Sequence, residues 1–134
     1  MFKTTGKLHY DSVGKVVLSC DTEIANYYRS LIPKHIRHMG QRYPAHITVV
    51  RSGRETVKNP KAWGRHEGEM IEFEYDPYVK IGKVYIWLDA YSDRLKEIRE
   101  ELGLESNRIH YPTQSLYLSF HITIANKKEY TSFD

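Results

Sequence analysis

The chain has 134 residues, 40% hydrophobic and 28% charged, with a formal net charge of +3 and one cysteine. This length and balance predict one globular domain, residues 1–134, and lack the dense Lys/Arg stripe of a long-duplex nucleic-acid binder. A lone cysteine excludes an intramolecular disulfide, and no apolar run reaches signal-peptide or membrane-spanning length, so a cytoplasmic protein with no membrane contact is expected.

Residues 15–20, KVVLSC, form a β-branched run and predict the first strand, with Cys20 as a small core residue. Residues 21–39 carry Ile24, Tyr27, Tyr28, Leu31 and Ile32 at spacings of three and four, one face of a helix. Asp21 or Thr22 caps its start and Pro33 ends it near Ile32. Residues 43–51, YPAHITVVR, are the next strand, and the polar, Gly- and Pro-containing residues 52–68 are a loop with a helical turn after Pro60. Residues 69–76 alternate polar and apolar side chains, as does the strand 83–90, which keeps Val84, Ile86 and Leu88 on one face. Residues 92–103 are a helix capped by Ser92, striped by Leu95, Ile98 and Leu102, and stopped by Gly103. A loop then leads to a final strand, 117–126, and a short polar tail.

Two of these strands carry nearly the same hexapeptide, AHITVV at 45–50 and FHITIA at 120–125, with the histidines 75 positions apart. Each follows a predicted helix, which suggests an internal duplication of a small α+β unit. Chance would place roughly 0.4 His-x-Thr triplets in a chain of this composition, so two copies with the same middle Ile in predicted strands are unlike an accident. Strand alternation points His46 and Thr48 to one face, and His121 and Thr123 likewise, while Ile47, Val49, Ile122 and Ile124 take the other. Two imidazoles and two hydroxyls suit a phosphodiester. One imidazole accepts the nucleophile's proton, the other protonates the leaving oxygen, and the hydroxyls donate to phosphate oxygens. Such a pair asks for no metal and no cofactor, and the pattern does not say which histidine is base and which acid.

The paired HIT motifs resemble the signature of the 2H phosphoesterases, His-x-Thr/Ser twice between apolar residues. The stretches YYRSLIP, RYPAHITVVR and SDRLKEIREELGL…FHITIAN are most similar to the phage anti-CBASS phosphodiesterases, the resemblance running from about Gly6 to Asn126. It implies a bilobal α+β fold of two pseudo-symmetric sheet lobes with flanking helices and a central cleft. It also implies metal-independent cleavage of 3′–5′ bonds in cyclic di- or trinucleotides, by 2′-hydroxyl attack. His46 and His121 would be the acid–base pair, and Thr48 and Thr123 the phosphate binders. The alternatives are a 2′,3′-cyclic phosphodiesterase or 2′–5′ ligase of RNA, and a non-catalytic module that sequesters the cyclic nucleotide.

Tyr10, ahead of the first predicted strand, and Trp63, in the Gly-containing loop, are candidates for stacking on a nucleobase. Trp87 alternates with apolar residues and reads as structural. Arg51 follows the first HIT strand on the face of Ile47 and Val49, away from His46 unless a bulge intervenes. Tyr130 and Phe133 offer a lid or a loose terminus. His35 and His38 lack an acidic or thiol companion for a metal and read as a basic turn, while His66 and His110 have no partner in their loops. The mixed charges of LKEIREEL read as a solvent face.

Overall fold

The computed structural model describes residues 1–106, 109–111, 116–118 and 120–128. The chain runs β1 (Phe2–Tyr10), β2 (Val16–Ser19), α1 (Thr22–Ser30), β3 (Met39–Gly40), β4 (His46–Val50), a 3₁₀ turn (Pro60–Ala62), β5 (Met70–Tyr75), β6 (Lys80–Ile81), β7 (Tyr85–Tyr91), α2 (Asp93–Glu101), β8 (Ile109–Tyr111), β9 (Leu116–Leu118) and β10 (His121–Asn126). No helix among the described residues is long and apolar enough to cross a membrane.

The expected α+β class is found. Six antiparallel strands close into a barrel in the order β10, β4, β2, β1, β5 and β7, with β7 pairing back onto β10. β3 and β6 extend the sheet beside β10 and β7, and β8 pairs with β9 in a separate hairpin. Closure leaves six strands without a free edge, and alternate side chains fill the interior. Leu8, Leu18, Ile47, Val49, Phe73, Leu88, Ile122 and Ile124 are all buried in one core.

β1 is the element the sequence reading lacked. Its inward residues are Gly6, Leu8 and Tyr10 against outward Lys7 and His9, too few apolar side chains to announce a strand. Gly6 is required there, because a Cβ would come within 2.6 Å of the Ser19 carbonyl and 2.8 Å of the Leu18 side chain. With β1 added, the chain reads β1-β2-α1-β4 and then β5-β7-α2-β10, a strand–strand–helix–strand unit used twice. The seams between the units are the β4–β10 and β1–β5 pairings, so the strands of both units close into one barrel, and the expected bilobal pair of sheet lobes is not seen as such. α1 packs against β10 of the other half, and α2 against β4 as well as β5.

Both helices start as their caps dictate: Asp21 accepts from the Glu23 amide, and Ser92 Oγ from the Leu95 amide. α2 ends in a Schellman turn, with the Leu104 amide bonded to the Arg99 carbonyl and the Gly103 amide to Glu100, Gly103 standing at φ +79°. α1 buries Ala25 and Tyr28, and Ile32 beyond it, while Tyr27 and Leu31 are 59% and 55% exposed, outside the apolar face expected of them. Cys20 is half-buried against the core, and burial pushes its thiol pKa up to about 12. The expected last strand is divided: β9 and β10 are separate, with buried Phe120 leading into the second HIT segment.

Candidate active site

β4 and β10 lie side by side and antiparallel, with Ile47 opposite Ile122 and both fully buried. That register sets His46 beside Thr123 and Thr48 beside His121 on the outer face of the barrel. Direct neighbours in such a pair are roughly 4.5–5.5 Å apart, and the two histidines, on the diagonal, roughly 7–8 Å. All four side chains are half-buried, in contact with solvent yet seated on a sealed core.

The two motifs share more than sequence. Against β2, Val17 pairs with Thr48 and Val16 with Val50, leaving Val49 as an extra residue. Against β7, Trp87 pairs with Thr123 and Ile86 with Ala125, leaving Ile124 extra. Each HIT is therefore followed by a bulge at the same position, so two consecutive residues turn inward after the threonine. The bulge also changes the place of Arg51, which now follows the inward Val50 rather than sharing the side of Val49.

His46 Nδ1 lies 2.8 Å from the Pro44 carbonyl oxygen, which can only accept, so the neutral ring carries its hydrogen on Nδ1 and leaves Nε2 with a free lone pair. A cleft of about 260 Å³ lies beside His46, lined also by Asp11, Lys15, Val17, Ser19, Tyr43, Pro44 and Ala45. His121 has different company. Asp89 is its direct partner on β7, and the Trp87 ring lies 6.4 Å from the imidazole, centroid to centroid, at 66°. Asp89 accepts from Trp87 Nε1 at 3.0 Å, and Lys80 Nζ is 3.9 Å from its other oxygen.

The structure brings His46, Thr48, His121 and Thr123 together and sets Tyr10 and Trp63 elsewhere. Tyr10 shares the inward side of Leu8 on β1, is 7% exposed, and packs edge-on against Trp63 at 5.4 Å. Tyr10 thus belongs to the barrel core and the half-buried Trp63 packs against it; the outward residues of β1 nearest the site are Lys7, opposite Ser19, and His9, opposite Val17. The sequence reads Trp87 as structural and leaves Asp89 without a role, whereas both stand on the outer face beside the second HIT. Their signal was the strict alternation of β7, where Ile86, Leu88 and Ala90 are buried and Tyr85, Trp87 and Asp89 stand on the opposite side.

His66 is not without a partner. Its Nε2 is 2.8 Å from Glu101 Oε2 and its Nδ1 3.6 Å from Glu69 Oε1, which ties the 52–68 loop to α2. Arg99 leaves the solvent face expected of α2: at 1% exposure it donates to the Val49 carbonyl and to both oxygens of Glu55. Among the described residues, no three His, Cys, Asp or Glu side chains gather as a metal site, His35 and His38 included. The side chain of His110, and the whole of Tyr130 and Phe133, lie outside the described residues. No protein-family model matches this sequence, and neither the curated proteins nor the solved structures contain a significant match.

Proposed function

We propose that the chain is a 2H-type phosphodiesterase whose substrates are cyclic di- or trinucleotides of the kind used in bacterial CBASS signalling. In this reading its two strand–strand–helix–strand halves are the two units of that fold, and the shared outer face of β4 and β10 is the cleft. The observation that carries it is the Ile47–Ile122 register, which sets two His-Thr pairs head to tail on one face.

The reaction follows from the unlike surroundings of the two imidazoles. His46 Nε2 takes the proton of the ribose 2′-hydroxyl as that oxygen attacks phosphorus. The P–O5′ bond breaks, and the His121 imidazolium delivers its proton to O5′. The products are a 2′,3′-cyclic phosphate and a free 5′-hydroxyl. Thr48 and Thr123 donate to the nonbridging oxygens as charge builds, a contribution worth roughly 10²–10³ in rate per donor in comparable sites. Neither step calls on a metal.

A panel of cyclic dinucleotides and of RNA ends bearing 2′,3′-cyclic phosphate, read by mass spectrometry with and without EDTA, tests this. Linearised cyclic dinucleotides with EDTA present, and loss of turnover in His46→Ala and His121→Ala chains that keep their circular dichroism, are expected. Full turnover in either variant sinks the reading. Recovery of intact ligand from a saturated complex identifies a sequestering protein instead.

A further inference from the structure

We propose that Trp87 is the stacking platform for the nucleobase of the departing nucleoside, the one joined to the scissile phosphate through O5′; this rests on the phosphodiesterase reading above. Three observations meet at this side chain. Trp87 is half-buried on the outer face, paired in register with Thr123 and 6.4 Å from the His121 ring. Its Nε1 is tied to Asp89 at 3.0 Å, which fixes the ring's rotation about its own strand. Gly82 makes room for the far edge of the indole, since a Cβ there would come within 2.7 Å of Cζ3 and 3.2 Å of Cη2.

An indole held on both sides has already lost the rotamer freedom that stacking would otherwise cost it. Its place beside His121, the proton donor to O5′, puts it on the leaving side of the phosphate. The other half of the barrel has no equivalent. Where β7 sets Trp87 and Asp89 against Thr123 and His121, β2 sets Val17 and Ser19 against Thr48 and His46. The site therefore treats its two nucleosides differently, with an aromatic shelf on one side and an open cleft on the other. Lys80, opposite Trp87 on β6, keeps a positive charge beside the shelf.

Adenosine 5′-monophosphate carries the phosphate and base of the departing nucleoside, and ribose 5-phosphate is the same probe without the base. Calorimetric titration of both into the full chain gives the increment due to adenine. A preference of roughly 5- to 150-fold for the nucleotide, the range of one base–aromatic stack, is expected of the unsubstituted chain. Trp87→Ala should lose the preference while ribose 5-phosphate binds as before, Trp87→Phe should keep most of it, and Gly82→Ala should reduce it. An unchanged preference in Trp87→Ala, or no binding of the nucleotide at all, overturns the proposal. The catalytic reading has its own arm in His46→Ala: full turnover there removes the phosphodiesterase, whereas a lost adenine increment in Trp87→Ala establishes the shelf whatever the turnover.

Discussion

Ile47 and Ile122 face each other across the seam between the two halves of the barrel, and on their far sides they fix which threonine stands beside which histidine. Both are fully buried. Their packing holds the two motifs in register, because a slip of one residue would turn either HIT inside out. Ile122→Val removes one methylene and should cost about 0.5–1.5 kcal/mol while leaving turnover close to normal. Ile122→Ala should cost about 2–5 kcal/mol. Urea denaturation followed by circular dichroism measures both. Equal stability of the alanine variant and the parent would mean the seam is not packed as described.

Arg99 and Glu55 form a buried ion pair at 2.6 Å, with side-chain exposures of 1% and 13%. Arg99 Nη1 also donates at 2.7 Å to the carbonyl of Val49, the extra residue of the first bulge. The pair thus braces the backbone one residue beyond Thr48. Removing one partner strands the other charge away from water, so Glu55→Ala and Arg99→Ala should each lose roughly 3–5 kcal/mol. Replacing the pair together by Leu and Met should lose much less than the sum of the two single changes. Denaturation midpoints of the four chains decide it, and simple additivity would show that the two side chains do not depend on each other.

Glu69 accepts from Arg94 Nε at 2.7 Å and Nη2 at 3.0 Å, and these hydrogen bonds hold its carboxyl below the ordinary carboxylate range. A lowered folded pKa means that the unfolded chain binds the proton more readily. The stabilisation is therefore complete above the ordinary carboxylate pKa and is lost as the pH falls through the folded one. Glu69→Gln should be less stable than the parent at neutral pH and should approach it in acid. Thermal melts from pH 7 down to pH 3 test this, and parallel curves for the two chains would remove Glu69 from the acid response.

Much of this was legible in the sequence where pattern and packing agree. The alternation of HIT forecast that Ile47 and Ile122 turn inward and the histidines outward, since a strand on a closed core leaves no other choice. Ser92, Leu95, Ile98, Leu102 and Gly103 likewise announced α2. What escaped depends on partners distant in the chain. Arg99 reads as one more surface charge until Glu55 and the bulged Val49 carbonyl are seen beside it. β1 holds only Leu8 and Tyr10 as inward side chains of any size, so its strand exists through pairing with β2 and β5 rather than through its own pattern. The aromatic ring of Tyr10 suggests a base-stacking role, but its even-numbered place beside Leu8 on β1 turns it into the core.

The assignment of base to His46 and acid to His121 rests on their neighbours, a carbonyl acceptor at Nδ1 of one and a carboxylate opposite the other. It can be separated from the broader phosphodiesterase reading by changing the leaving group. A nucleoside 3′-(p-nitrophenyl phosphate) expels p-nitrophenolate, which departs without being protonated, whereas a dinucleotide expels an alkoxide that must be. The nucleophile needs its proton removed in both. His121→Ala should therefore lose most of its rate on a dinucleotide, by roughly 10²–10⁴, yet keep the larger part on the p-nitrophenyl ester. His46→Ala should lose a similar factor on both substrates. The opposite pattern would exchange the two roles, with the Pro44 hydrogen bond then orienting the acid.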